Sequence, residues 1–310
     1  MTKIRFGPVI HSSDAAEAVG QATFSEKLGL DSFWIPEYLT LPYFDPFVLA
    51  GAVAQATTTI QIGTGVALAA FRSPALLAKA ASSVDQLSNG RFILGLGIGG
   101  TEADFRVAGV DFASRGRLVD ETVEATHQLL AGGPTHFEGE YFQLEGLELS
   151  PPSIQRRVPL WSGANGAAGL ARGPLRRAAR HADGFFPFLT SVAEYRRGQA
   201  VIRELAAEAG RNPDDLAWGL HIWTCLGESE LDAAASVERA LHEKYAAAGK
   251  WVVESSLGYL LGTPGDMVAL IEQYVALGVS HFAIDPACPE NRILELLETM
   301  AREVAPRFRD

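Results

Sequence analysis

Cysteine is scarce in this chain of 310 residues, which has only Cys225 and Cys288. Two cysteines are too few for a disulfide scaffold or a cysteine-bound metal site, and we expect a reducing compartment. Positive charge is scarce as well, since 26 lysines and arginines stand against 37 aspartates and glutamates, a formal net charge of −11. Nucleic-acid backbones are bound by clustered positive charge, so this balance argues against a nucleic-acid partner.

Long apolar runs are also absent. No stretch of about 18 apolar residues is free of charges and helix breakers, so the sequence predicts no membrane span. The first residues lack the layout of a signal peptide, and we expect a cytoplasmic location. With 47% apolar and 20% charged residues, the composition is typical of a soluble globular protein and excludes disorder for most of the chain.

Short β-branched or aromatic segments alternate with longer alanine-rich helical segments along the whole chain. Cap residues mark several helix starts, such as Asp14, the Asp45-Pro46 pair and the Ser73-Pro74 pair. Strands are predicted at residues 4–10, 32–36, 60–66, 92–96, 158–162, 184–187, 217–226 and 282–285. Eight strands with helices between them in about 300 residues predict one α/β domain over residues 1–310, a TIM (β/α)8 barrel.

Two segments interrupt this alternation. Residues 135–149 alternate polar and apolar side chains and predict a β-hairpin, whereas residues 249–262 are predicted to be an irregular insertion. A doubly wound sheet is the alternative architecture, and it would place a glycine-rich turn after the first strand. Here that turn is His11-Ser12-Ser13-Asp14, without glycine, so the barrel is the preferred prediction.

The active site of such a barrel lies at the C-terminal ends of the strands. Two of these ends are rich in glycine, at residues 95–100 and 163–166. Glycines allow backbone N–H groups to approach and bind an anion without a basic side chain. One glycine run alone is explained equally well by strand packing, but the two runs together favour a bound phosphate. Arg172, close to the second run, is a further candidate for an anionic group.

Metal and nucleophile chemistry are less favoured by the sequence. A metal-dependent barrel hydrolase would have a His-x-His motif on the first strand, whereas His11 stands alone there. The Gly-x-Ser-x-Gly motif of serine hydrolases is absent. We therefore expect no metal in the site.

Three motifs occur in order along the chain: Ile-Gln-Ile-Gly-Thr-Gly-Val at residues 60–66, Leu-Ser-Asn-Gly-Arg-Phe at 87–92 and Gly-Thr-Pro-Gly-Asp at 262–266. Together with Arg72-Ser73-Pro74 they resemble the bacterial luciferase-like superfamily. That superfamily contains FMN-dependent monooxygenases and coenzyme F420-dependent oxidoreductases. The resemblance extends from residue 4 to about residue 307.

The resemblance implies a TIM barrel that is usually a homodimer and binds FMN or coenzyme F420 across the strand ends. It places a cis peptide bond between Gly65 and Val66, behind the flavin or deazaflavin ring. The residues that match cofactor-binding positions are Gly65, Val66, Gly97, Ile98, Gly99, Gly163, Ala164, Asn165 and Gly166.

Two departures from the superfamily pattern bear on chemistry. Tyr38 follows Glu37 where many members have a histidine, and Ile98 stands where luciferases have an arginine for the phosphate. We therefore expect no light emission, and Glu37, Tyr38 and Glu102 are the catalytic acid–base candidates, because a carboxyl or phenol in a desolvated barrel mouth can exchange protons near neutral pH. A structural hydrogen bond explains Glu37 equally well, and Tyr38 could instead form a pocket wall.

Three functions agree with these observations. The favoured one is hydride transfer between coenzyme F420 and a small organic substrate. The second is a monooxygenase that uses O2 and reduced FMN delivered by a separate reductase. The third is a flavin-binding protein without catalysis, which the missing histidine keeps in consideration.

Overall fold

The computed structural model describes residues 3–166, 169–245 and 259–309. Within these ranges the strands β1 to β12 span Arg5–Pro8, Ser32–Ile35, Gln61–Thr64, Ala67–Leu68, Phe92–Gly97, Thr135–Glu138, Gln143–Leu147, Leu160–Asn165, Gly184–Phe188, Ala217–Leu226, Tyr259–Gly262 and His281–Pro286. The helices α1 to α10 span Ala15–Lys27, Pro46–Ala56, Pro74–Leu87, Glu102–Ala108, Arg115–Leu130, Arg172–His181, Val192–Glu208, Glu230–Tyr245, Pro264–Val275 and Ile293–Thr299. None of these described helices combines the length and the apolar character that a membrane crossing requires.

Eight parallel strands form the barrel, in the order β1-β12-β10-β9-β8-β5-β3-β2. The last seam, between β1 and β2, is closed by a bridge between Val9 and Trp34 and by the Ile10 N–H, which donates to the Trp34 carbonyl at 3.1 Å. The Asp31 N–H donates to the Phe6 carbonyl at 2.7 Å on the same seam. The structure therefore confirms the predicted TIM barrel.

The predicted caps begin the helices on the first half of the barrel. Asp14 accepts the Glu17 N–H at the start of α1, and Asp45 accepts two backbone N–H groups at the start of α2. Ser73 caps α3 in the same way. These side chains satisfy amide groups that would otherwise have no partner in the first helical turn.

The predicted hairpin is confirmed, since β6 and β7 pair antiparallel. The turn between these strands is held by the Glu121 carboxylate of α5, which accepts backbone N–H groups from Glu140, Tyr141 and Phe142.

The second predicted insertion was wrong at its C-terminal end. Residues 259–262 form β11, which pairs in parallel with the far end of the ten-residue strand β10. Such a short segment ending in glycine has no clear strand pattern of its own, and its conformation depends on the strand that it joins. Residues 249–258 lie outside the described residues. The short helix α4, between β5 and α5, was not predicted.

Aromatic side chains fill the barrel below the C-terminal strand ends. Trp34 is fully buried and stacks on Phe186, with ring centroids 4.5 Å apart, and Trp161 packs against both. Nearer the N-terminal ends, His281 contacts the Ser32 hydroxyl at 2.8 Å, and burial lowers the pKa of its imidazole to about 3. Of these side chains, Phe186 also lines a cavity at the C-terminal ends of the strands.

Candidate active site

A cavity opens at the C-terminal ends of the barrel strands, where the sequence predicted a site. Eight of the nine predicted cofactor-binding residues line it, namely Gly65, Val66, Gly97, Ile98, Gly99, Gly163, Ala164 and Asn165. Gly166 is not part of the lining, and a Cβ atom there would lie 2.4 Å from the Thr190 hydroxyl oxygen. Arg172 is exposed at the start of α6 and is likewise outside the lining.

The two glycine runs approach each other around the side chain of Val66. A Cβ atom on Gly97 would lie 2.5 Å from a Val66 methyl group, and one on Gly163 would lie 2.9 Å from the other methyl. Gly99 has φ +126 and a Cβ there would lie 2.7 Å from the Phe105 ring. A larger residue at Gly97, Gly99 or Gly163 would therefore collide with Val66 or Phe105. Because these three residues have no side chain, it is their backbone that lines the cavity. The peptide bond between Gly65 and Val66 is cis, as predicted.

Glu37 lines the cavity, but both of its carboxylate oxygens are engaged. One oxygen accepts the Leu68 N–H at 2.7 Å and an Arg72 N–H at 2.6 Å, and the other lies 2.5 Å from Arg72 Nη2. Arg72 also contacts Asp45, the cap of α2, at 2.6 Å. Burial opposes the charge on Arg72, but its contacts with Glu37 and Asp45 outweigh burial and raise its pKa. Glu37 thereby ties the end of β2 to the segment after Val66.

The other two predicted acid–base residues lie apart. Tyr38 lines the cavity, whereas Glu102 is exposed in the first turn of α4 and does not. The acidic residue of α4 that lines the cavity is Asp104, which was not predicted. Its carboxylate accepts the Thr101 N–H at 2.8 Å as part of a capping box and the Thr40 hydroxyl at 2.8 Å. Asp104 thus joins α4 to the loop after β2.

A buried carboxylate shared by two histidines lies beside the cavity. Asp285, at 1% exposure, contacts His11 Nε2 at 3.0 Å with one oxygen and His221 Nε2 at 2.8 Å with the other. Burial alone would raise the pKa of the Asp285 carboxyl, but charge interactions and hydrogen bonds with His11 and His221 outweigh it and hold that pKa well below its ordinary value. His221 also lines the cavity.

This arrangement fixes the chemistry of both imidazoles. An ionised carboxylate only accepts hydrogen bonds, so each Nε2 must be the donor. A neutral imidazole in this position therefore has its lone pair on Nδ1 and can accept a proton there. In the described part of the chain, no set of side chains is placed to hold a metal ion.

The sequence held a signal for this group, although His221 and Asp285 were not predicted as catalytic. His11 and Asp285 each lie at a predicted strand end, and barrel closure makes β1 and β12 neighbours. In the register of β10 and β12, His221 pairs with Ala283, two residues before Asp285, so both side chains lie on the same face. Arranging the predicted strands around a closed barrel would have brought the three residues together.

Comparisons with known proteins show which family this chain resembles. The model of the luciferase-like monooxygenase family matches residues 1–281. An F420-dependent glucose-6-phosphate dehydrogenase of Amycolatopsis mediterranei is 26% identical, with 100% of this chain and 99% of that protein covered. An uncharacterized protein of Mycobacterium tuberculosis is 34% identical over 170 residues, and this match spans just 57% of that relative's length.

Solved structures share the fold. An F420-dependent secondary alcohol dehydrogenase, in complex with an F420-acetone adduct, superposes with a TM-score of 0.83 at 20% identity and covers 99% of this chain and 100% of that one. The long-chain alkane monooxygenase LadA has a TM-score of 0.79 at 18% identity, with coverages of 99% and 91%.

The contacts of Glu37 predict the outcome of removing its charge. Glu37→Gln keeps the size of the side chain but loses the ion pair with Arg72, so we expect the free energy of unfolding in urea to fall by about 1–3 kcal/mol. Arg72→Gln should give a similar loss. The double variant should lose less than the sum of the two losses, because each single change already removes the same ion pair between Glu37 and Arg72. Unchanged unfolding of Glu37→Gln, with turnover reduced about 10²–10⁴-fold, would instead support acid–base catalysis by Glu37.

Proposed function

The chain belongs to the luciferase-like monooxygenase family, and we propose that it is an oxidoreductase that transfers hydride between coenzyme F420 and a small organic alcohol or its carbonyl product. The observation that supports this reaction best is the hydrogen bond between the buried Asp285 carboxylate and His221, the histidine that lines the cavity. Conversion of an alcohol into a carbonyl releases a proton from oxygen and a hydride from carbon. A site for this reaction therefore needs a proton acceptor as well as the cofactor.

His221 has the properties of that proton acceptor. When bound, coenzyme F420 supplies the hydride acceptor in one direction and the hydride donor in the other. His221 Nδ1 accepts the hydroxyl proton as the carbonyl forms, and it returns the proton when the reaction runs in reverse. Asp285 holds the imidazole in the required tautomer and stabilises its charged form, the task that a carboxylate performs for a catalytic histidine in hydrolases.

The walls of the cavity fit a deazaflavin cofactor. The backbone of both glycine runs and the side chains of Val66 and Phe186 give a largely apolar surface for a ring system. Among the described residues that line the cavity there is no lysine or arginine. The phosphate monoester of FMN has a charge of about −1.5 to −2 near neutral pH. The phosphodiester of F420 has one ionisable oxygen, so at the phosphate position itself F420 needs less compensation than FMN, which favours F420.

Relatives support the same choice. The relatives named as F420-dependent glucose-6-phosphate dehydrogenases match this chain over nearly its full length, and a structural neighbour is named as an F420-dependent alcohol dehydrogenase. The likeness to LadA keeps the FMN-dependent monooxygenase as the alternative, for which a separate reductase would be a required partner.

We propose a cytoplasmic location for the protein, since a sequence with two cysteines suits a reducing compartment.

Cofactor binding and the His221 variant together test this proposal. In equilibrium dialysis we expect F420 to bind about tenfold or more tightly than FMN, because the described lining offers a phosphate monoester no basic side chain. His221→Gln should keep the fold and the F420 affinity while the rate of hydride transfer to F420 falls about 10²–10⁴-fold. His136→Gln, a change of an exposed histidine on the hairpin, is the control and should keep the rate.

Two results would contradict the proposal. Tighter binding of FMN, with oxygen consumption in the presence of a flavin reductase, would support the monooxygenase. Binding of either cofactor without turnover of a panel of alcohols, aldehydes and ketones would support the non-catalytic flavin-binding protein.

We also propose that the chain forms a homodimer through α2 and α3. Val48 on α2 is 72% exposed, and Leu76 and Leu87 on α3 are 68% and 49% exposed. These helices pack side by side, so the three side chains lie on two adjacent elements of the surface. Contiguous patches of exposed apolar side chains mark protein–protein interfaces, and we propose that these three side chains contribute to one.

Light scattering after size exclusion tests the dimer. The unmodified protein should have the mass of two chains, and the combined change of Val48→Asp and Leu76→Asp should give one chain, because two charges would be buried in the interface. Val107→Asp on α4, an equally exposed position at 68%, should remain dimeric. A monomeric unmodified protein, or dissociation caused by Val107→Asp, would refute this interface.

A further inference from the structure

We propose that His11 is a positioning residue that sets the protonation state of His221 through the carboxylate that both imidazoles share. His11 contacts Asp285 and is not among the residues that line the cavity. Its effect on the reaction rests on the proposed function, in which His221 exchanges a proton with the substrate. The coupling between the two histidines is a property of the protein alone, and it can be measured without cofactor.

The three side chains form a chain of hydrogen bonds that is shielded from solvent. The distances are 3.0 Å from His11 Nε2 to one Asp285 oxygen and 2.8 Å from the other oxygen to His221 Nε2. The side chains are 3%, 2% and 10% exposed, in the order His11, Asp285 and His221. Because water has little access to Asp285, the histidines must supply most of the compensation for its charge.

The total charge of this group limits how it can be protonated. With both imidazoles neutral, the group would contain an uncompensated negative charge, and with both protonated it would contain an excess positive charge. Either state is costly in a buried environment. The favoured state has one proton beyond the two neutral imidazoles, so protonation of one histidine disfavours protonation of the other. Protonation of one imidazole is therefore linked to protonation of the other through the carboxylate that they share.

Aromatic rings pack around the two histidines on the sides away from Asp285. The rings of Tyr43 and Tyr38 lie 5.3 and 6.1 Å from the His11 ring. Burial, together with the negative charges of Asp285 and Glu290, raises the pKa of Tyr43 to about 12, so this phenol stays neutral near pH 7. On the other side, Phe188 and Phe186 of β9 pack against His221, with ring centroids 4.5 and 5.8 Å away.

The charge of His11 affects the reaction through Asp285. A positive charge on His11 compensates Asp285 and leaves His221 neutral, which is the form that accepts a proton from an alcohol. Without an imidazole at position 11, the whole negative charge of Asp285 acts on His221. The pKa of His221 should therefore rise, and the pH at which alcohol oxidation begins should rise with it.

The test is a proton titration of the cofactor-free protein by NMR with ring-labelled histidine. His11→Gln keeps an amide that can donate to Asp285 but cannot be charged, and we expect the pKa of His221 to rise by about one unit or more. The reciprocal variant, His221→Gln, should raise the pKa of His11 in the same way, and it keeps the test available if His11→Gln does not fold. His281→Gln is the matched control, because that buried imidazole contacts a serine hydroxyl instead of a carboxylate. It should leave the His221 titration unchanged.

The rate of hydride transfer to F420, measured against pH, separates this inference from the proposed function. If His11→Gln moves the His221 titration and the pH profile by equal amounts, both are supported. If the titration moves but the protein has no activity with F420, the coupling stands and the proposed function fails. If F420 is turned over but the His221 titration and the pH profile of His11→Gln match those of the unmodified protein, the inference about His11 is overturned.

Discussion

The buried carboxylate of Asp285 is the group on which the arrangement of the site depends. At 1% exposure it requires hydrogen bonds and positive charge from the protein, and two imidazoles provide both. His11 follows β1 and His221 lies within β10, the two neighbours of β12 in the barrel. One ionised side chain thus joins three adjacent strands and fixes the tautomer of the histidine that faces the cavity.

The opposite side of the cavity is organised by a second ionic contact. Glu37 and Arg72 connect the end of β2 to the segment that contains Val66, and Asp45 extends the connection to α2. In the barrel interior Trp34 stacks on Phe186, and Phe186 lines the same cavity as Glu37 and His221. The cavity lining therefore combines a few polar side chains with an apolar surface, an arrangement common in sites for small organic molecules and cofactors.

The sequence predicted the features that local patterns determine. Caps such as Asp14 and Ser73 located helix starts, alternation located the hairpin, and the glycine runs located the cavity wall. Contacts between distant residues could not be predicted in this way, because His11 and Asp285 are 274 residues apart and meet only when the barrel closes. Glu102 was named as a candidate, whereas Asp104 in the same helix lines the cavity. The helix that contains both residues was not predicted, and its seven residues give too few turns to show which side faces the cavity.

The most direct test of this account is the rate of hydride transfer in Asp285→Asn, measured by rapid mixing with F420 already bound. Asparagine has nearly the same shape but no charge, so His221 loses the group that stabilises its protonated form. The account predicts a rate lower by about 10²–10⁴-fold with F420 affinity little changed, and a free energy of unfolding lower by about 1–3 kcal/mol because the buried contacts with two imidazoles are weakened. An unchanged rate with an unchanged pH profile would contradict it, and would show that the shared carboxylate has no part in proton transfer.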